Sequence, residues 1–582
     1  MYIPATKKEL ENLGWDRADI IIVTGDAYVD VPASGTALLG KYLIKKGFRV
    51  AVISQPEISD GKDITAMGEP RLFWGVSAGC TDSMVANYTA QKKKRRSDDF
   101  TPGMKNTRRP DRATIVYTNL IKRFFPDTVP VVLGGIEASL RRLAHFDFWQ
   151  EKIRRSVLFD AKADYLVYGM GEKTAFELAE ALRDGKDPRN IPGLCYISSE
   201  PLKDAITLPS FESVDGDKKN FEKMFMTFYK NTDRIKGLRM QQKHGGRYLV
   251  HNSPRFPLEQ KDIDEIYDLR FEYDAHPLEK KKGKIKALDT VRFSITTHRG
   301  CFGECSFCAV SLHQGTVIES RSEDSVLREI ERMSKHKLFR GVISDMGGPT
   351  ANMYKMNCKK QINSGKCSEK HCLHPEICEK LEKNHQPLVK LMKKASEIEN
   401  VKHLFIGSGL RHDLILADKK SGTRYLRSLT ENHISGQLKF APEHISEKVL
   451  ELMKKPEKES SLLFRKKFDA ENQKTRKKQY LTCYFIAAHP GCEIDDMKKL
   501  RTYSIEKLGV KPRQVQIFTP TPSTISTLIY FTGRNPFNGE EVFVERSLKN
   551  RAKQKEAALG ISGGKPRKKK TRRSLRKTKK RL

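Results

Sequence analysis

The stretch CFGECSFC, Cys301 to Cys308, sets three thiols within eight residues, at intervals of four and three. Structural zinc takes four ligands, usually as two short pairs, and this triplet has no clean second pair beside it. Thiolates are soft ligands suited to iron–sulfur clusters. Three of them on a four-iron cube leave one iron without a protein ligand, open to a substrate or cofactor. Phe307, just before the third thiol, would lie beside whatever binds there.

A second group, Cys358, Cys367, Cys372 and Cys378, follows at spacings of 9, 5 and 6, with His371 and His374 among them. Four thiols in 21 residues predict a second metal site, either tetrahedral zinc or an auxiliary iron–sulfur cluster, against the alternative of reduced, unligated cysteine in a loop. Seven of the eleven cysteines thus crowd between 301 and 378, which in a reducing compartment points to metal rather than disulfides. Cys80, Cys195, Cys483 and Cys492 stand in apolar or mixed settings and read as buried thiols.

The elements that position the triplet follow from apolar runs separated by helical stretches. Arg292–Thr297, Gly341–Asp345, His403–Ser408, Gln437–Ala441, Tyr480–Ala487 and Gln514–Phe518 read as six strands, each with room for a helix after it. Six such units predict a (βα)6 partial TIM barrel, whose chemistry gathers at the carboxyl ends of the strands. The triplet follows the first strand directly, as SITTHRGCFGEC shows. Upstream, Ile20–Thr24, Arg49–Ser54, Leu72–Ser77, Val129–Leu133 and Tyr165–Tyr168 alternate with helical segments at 35–47, 113–125 and 173–184. That pattern predicts a doubly wound, Rossmann-like α/β domain with glycine-rich turns after its strands. The chain divides on this reading into an N-terminal domain at 1–200, a connector at 201–288, the barrel at 289–540 and a basic, disordered tail at 541–582.

CxxxCxΦC after the first strand of such a barrel resembles the radical S-adenosylmethionine (radical SAM) superfamily. The resemblance implies that the amino and carboxylate groups of S-adenosylmethionine chelate the open iron. A reduced 4Fe-4S cluster then donates an electron, the C5′–S bond breaks, and a 5′-deoxyadenosyl radical abstracts hydrogen from substrate. Gly347-Gly348-Pro349 stands where the superfamily carries a GGE-like turn, with Pro349 in place of the acid. Ser408, Arg411, Lys439 and Glu443 stand where ribose and carboxylate contacts arise, and His489 reads as structural. GDAYVDVPASGTALLG, GVSAGCTDSMVANYTA, VLGGIEASLRR, SRSEDSVLREI, DMGGPTANMY, FAPEH, YFIAAHPG and YFTGRNPF together resemble the YgiQ-type radical SAM family over about residues 1 to 540. It implies a cobalamin-binding-like N-terminal domain. The histidine expected after Asp30 is Val31, which cannot ligate cobalt, so the expectation is that cobalamin does not bind.

Composition bounds the partners. The net charge is +36, and the last 18 residues hold twelve Lys or Arg and no acid, a composition suited to phosphate contacts with RNA. No apolar run approaches the roughly 18 to 20 residues that span a bilayer, so the expectation is a cytoplasmic protein without membrane contact. The partners expected are S-adenosylmethionine, an electron donor such as flavodoxin or ferredoxin, and RNA. The activity expected is radical modification of an RNA or protein substrate, by methylation or sulfur insertion. The alternative is a non-catalytic iron–sulfur protein that binds nucleic acid or senses redox state.

Overall fold

Ile20–Thr24 (β1) is a run of branched aliphatic residues closed by threonine, all five buried, and such a run fits only between other strands. In the computed structural model, which describes residues 1–368 and 370–561, it lies between Val50–Ser54 (β2) and Phe73–Ser77 (β3). Val131–Gly134 (β4) and Tyr165–Val167 (β5) continue the sheet, all parallel, in the order β2-β1-β3-β4-β5. Gly35–Lys45, Ala113–Phe124 and Glu172–Arg183 are the intervening helices, at the positions their periodicity predicts. Strand order reverses between β1 and β3, which opens the crevice at the carboxyl edge where doubly wound sheets take ligands.

The sheet does not stop at residue 200. Leu194–Ser198 (β6), Ile206–Leu208 (β7), Met240–His244 (β8) and Arg247–His251 (β9) extend it in the order β5-β6-β9-β8-β7, to nine strands. The segment read as a connector therefore supplies three of the strands. Its signal was local: β8 and β9 pair through His244 and Arg247 around Gly245-Gly246, a two-residue glycine turn that marks a hairpin.

Ser294–Thr296 (β10), Asp345–Gly347 (β11), His403–Leu404 (β12), Gln437–Glu443 (β13), Tyr480–Ala487 (β14) and Gln514–Ile517 (β15) form the second unit. β10 pairs with β11, and Val342–Ile343, which leads into β11, pairs with β12. β13 pairs with β14 and β14 with β15, all parallel. β12 meets β13 only through the single parallel bridge Leu410 to Phe440. This is the partial barrel expected, strand for strand.

The end of the chain departs from expectation. Leu548–Leu559, inside the stretch assigned to a disordered tail, is a helix packed on the barrel. Arg551 is fully buried and donates to the Phe518 carbonyl, and Gln554 accepts from Ala488 N at 2.8 Å and donates to Cys492 O at 2.9 Å. A few polar side chains buried by specific partners hold a helix whose composition reads as solvent-exposed. Residues 562–582, with most of the basic run, lie outside the described residues.

The two units meet carboxyl edge to carboxyl edge. Arg299 donates to Glu172 across the boundary at 2.7 Å, both side chains nearly fully buried. His313 lies 3.1 Å from Ser139 Oγ, and Ser523 donates to the Leu140 carbonyl at 2.7 Å. The N-terminal sheet thus covers the end of the barrel that carries the triplet.

Candidate iron–sulfur site

The triplet loop begins where β10 ends and is tied down by its backbone. Cys301 N donates to Gly315 O at 3.1 Å, Ser306 N to Met453 O at 3.1 Å, and Cys308 N to Cys305 O at 3.0 Å. Ser526 N in turn donates to Ser306 O at 2.9 Å, so a segment after β15 also grips it. A Cβ at Gly303 would stand 3.3 Å from Cys301 Sγ, 3.4 Å from an Arg411 Nη1 and 3.9 Å from Cys305 Sγ. Glycine therefore leaves open a cradle bounded by two of the three thiols and a guanidinium.

Electrostatics around the cradle are uneven. Burial, then the neighbouring Cys305, push the Cys308 thiol up to about 12, and burial also raises Cys301. Such thiols stay protonated until a metal displaces the proton. Arg411 Nη1 donates to Cys305 Sγ at 3.6 Å while its Nε binds Asp413 at 2.9 Å. Burial opposes the Arg411 charge, and Asp413 more than offsets that, so a fixed cation stands against the loop. Thr350 Oγ1 lies 3.4 Å from Cys301 Sγ. Ser306 Oγ is buried without a hydrogen-bond partner, on a cavity that Cys305, Cys308, Tyr229, Thr232 and Thr524 also line. Thiols free to ligate, an open cradle and an adjacent cation fit a thiolate-bound cluster.

The other residues singled out from sequence fare differently. Gly347 ends β11 in register with Thr296, and Gly348 lies so close to His298 that a Cβ would stand 2.5 Å from its ring. Ser408 is engaged by Asp345, which also accepts from Gly407 N at 2.8 Å. Its hydroxyl therefore braces the ends of two strands. Glu443 ends β13 with a left-handed backbone, buried 4.0 Å from Lys455, and burial raises its carboxyl. Lys439 sits mid-strand opposite Thr482, half-buried. Phe307 is wedged between the two main cores with its ring 6.2 Å from that of His489. His489 is buried, accepting from Ser526 Oγ at 2.7 Å and donating to Pro490 O, as a structural histidine does. Cys195, Cys483 and Cys492 are buried as expected, whereas Cys80 is exposed, because the turn after β3 turns it outward while its N–H binds Asp26.

Sequence reasoning missed Glu304, inside the motif itself. Its carboxylate accepts from Lys366 Nζ at 2.5 Å, Tyr229 Oη at 3.2 Å and His371 Nδ1 at 3.3 Å, and Lys454 Nζ donates to His371 Nε2 at 2.7 Å. Burial opposes the Glu304 charge, but Lys366 and His371 hold its carboxyl well below the usual range. The second cysteine group is thereby brought to the first: Cys358, Cys372 and Cys378 share a small apolar cluster with Phe302 and Cys301. Among the described residues no three His, Cys, Asp or Glu side chains close on a point as a single metal ion requires.

With this geometry the relatives can be compared. The family model described as Radical SAM N-terminal matches residues 2–294, and a domain of unknown function, DUF3362, matches residues 513–559. A UPF0313 protein of Fusobacterium nucleatum is 50% identical, covering 95% of this chain and 98% of its own. The chain belongs to the YgiQ-type UPF0313 radical SAM family. Another UPF0313 protein, from Thermotoga neapolitana, is 49% identical over 96% of this chain and 98% of its own. As a radical SAM family member the chain is an enzyme. The match to DUF3362 runs through β15 and the terminal helix, the part of the supposed tail that is folded.

Solved structures resemble the UPF0313 chain more distantly. The radical SAM methyltransferase TsrM from Kitasatospora setae, in a structure with cobalamin and a 4Fe-4S cluster bound, is 16% identical at a TM-score of 0.48, covering 87% of this chain and 74% of that one. The cobalamin-dependent radical enzyme OxsB, with aqua-cobalamin bound, is 12% identical at a TM-score of 0.47, covering 89% and 56%. The expectation that cobalamin does not bind is corrected: TsrM and OxsB are each solved with it bound. Val31 itself is buried in an apolar cluster with Ala27, Val29, Ala275 and Ile285 and offers no ligand atom. Among the described residues no helix is long and apolar enough to cross a membrane.

Proposed function

We propose that Cys301, Cys305 and Cys308 hold a four-iron cluster whose open iron takes S-adenosylmethionine. The observation that carries this reading is the cradle at Gly303, flanked by two thiols and Arg411 on the loop that leaves the first barrel strand. When bound, cluster and S-adenosylmethionine supply one-electron cleavage of the C5′–S bond and a 5′-deoxyadenosyl radical, the electron coming from a flavodoxin- or ferredoxin-type donor. Arg411 balances thiolate charge at Cys305, Thr350 hydrogen-bonds Cys301, and Asp345 with Ser408 keeps the strand ends in place. The N-terminal sheet, through Arg299 and Glu172, keeps bulk water from the barrel end.

For the substrate we propose RNA, modified by methylation or sulfur insertion. Support comes from the net charge of +36, which suits a polyanion.

Two experiments test these readings. Anaerobic reconstitution with iron and sulfide is expected to give about four irons on the triplet and 5′-deoxyadenosine after dithionite reduction. Cys305→Ala is expected to abolish that product, and persistence of the product in this variant overturns the assignment. Comparing modified nucleosides of cells carrying the wild type or Cys305→Ala tests the substrate; an RNA profile unchanged between them excludes RNA.

A further inference from the structure

We infer that Cys358, Cys367, Cys372 and Cys378 bind a second iron–sulfur cluster, closed by four protein thiolates and packed against the triplet loop. The inference is independent of whether S-adenosylmethionine binds the first.

Among the described residues from Cys358 to Glu382 the one helix is Lys359–Ser364. The base of this loop is closed by Glu382 N donating to Asn357 O at 2.8 Å. A loop of this length inside a folded unit, with so little secondary structure, needs something to hold it in one conformation. Its apolar contribution is small: Leu373, Leu381 and Cys358 with Phe302, Met353, Met356 and Leu414. A core of that size is of the kind that metals or disulfides reinforce. All four cysteines are free thiols.

Three of those thiols gather in one cluster, spread too wide for a single ion. Cys358, Cys372 and Cys378 belong to that one apolar cluster, Cys378 N donates to Cys372 O at 2.9 Å, and Leu381 N to Cys378 O at 3.1 Å. Cys367 is fixed through Lys366, whose N–H binds Asp233 at 2.7 Å and whose ammonium binds Glu304 at 2.5 Å. His371 is already committed to Glu304 and Lys454, so beside the four thiols only His374 remains as a nitrogen donor in the loop.

The choice between one ion and a cluster follows from spacing. Zinc holds each sulfur at about 2.3 Å and draws four thiolates close around one point. These thiols do not close on a point, and neither do Cys301, Cys305 and Cys308. A four-iron cube, with one thiolate per corner, takes a wider set. Four thiolates leave no open iron, so this cluster has no place for S-adenosylmethionine.

Metal content of the anaerobically reconstituted full-length chain tests the inference. The wild type should carry about eight irons with matching sulfide and no zinc. Replacing Cys301, Cys305 and Cys308 by Ala should leave about four irons, with an electron paramagnetic resonance signal that does not change on adding S-adenosylmethionine. Replacing the four loop cysteines by Ala should leave the signal that does change. A wild type that saturates at about four irons, or that carries zinc removed by the loop replacements, overturns the inference even if a variant misfolds. Failure of the triplet reading would appear separately, as a wild type with no signal sensitive to S-adenosylmethionine.

Discussion

Arg411 and Gly303 are where single side chains decide what the triplet can hold. The Arg411 guanidinium stands 3.6 Å from Cys305 Sγ, and a fixed cation there favours the more negative, reduced state of a thiolate-bound cluster. Arg411→Met is therefore expected to make the cluster harder to reduce and to slow formation of 5′-deoxyadenosine while iron content is retained. A potentiometric titration followed by electron paramagnetic resonance checks this, and an unchanged midpoint contradicts it. Gly303→Val acts by volume, since even its Cβ would press on Cys301 Sγ and Arg411. It is expected to lower iron incorporation at unchanged thermal stability. The thiols were legible in sequence because ligand identity and spacing survive without a fold. Arg411 was legible only by its place after the third strand, and Glu304 not at all, since its partners Tyr229, Lys366 and His371 lie at least 62 residues away.

At the scale of elements, two buried charged contacts hold the site together. Arg299, two residues before Cys301, donates to Glu172 at the start of the Glu172–Arg183 helix, and both are nearly fully buried. Removing one partner of a buried pair strands the other, at a cost of about 3 to 5 kcal/mol. Glu172→Ala is expected to lower unfolding stability by that order in urea titrations. Glu304 joins the triplet loop to the cysteine-rich loop in the same manner. Glu304→Gln keeps the shape but loses the charge opposite Lys366, and is expected to speed amide hydrogen exchange in 358–382 selectively. Exchange that rises uniformly, or not at all, contradicts the latch. The barrel strands were readable because most set apolar residues at alternate positions that must be buried, as Tyr480–Ala487 does. The β8–β9 hairpin was not, because MQQKH buries Gln241, Gln242 and His244 between two other strands, and only the Gly245-Gly246 turn marks it.

For the whole molecule, buried histidines set the response to acid. Burial holds His145, His412 and His489 down to about 3, and His244, His298, His313 and His444 to about 4. Each folded value lies below the ordinary 6.5, so between the two the unfolded chain binds a proton that the native chain does not. Stability therefore rises with pH across that window and is lost as pH falls through it, by about 1.4 kcal/mol per pH unit for each histidine. Urea midpoints are expected to fall steeply between pH 6.5 and 4.5. A flat profile there would mean that these rings take up protons without unfolding.

The succession of strands along the chain, the seven clustered thiols and the family follow from the sequence, because apolar positions must be buried and soft ligands at short spacing mark metal. Tertiary structure decided what those positions were packed against. It extended the N-terminal sheet to residue 251, folded Leu548–Leu559 onto the barrel by burying Arg551, and drew the second cysteine group to the first through Glu304. It also packed Val31 against Ala275 and Ile285. Each of these turns on contacts between residues far apart in the chain, and such contacts leave no mark in local composition or period.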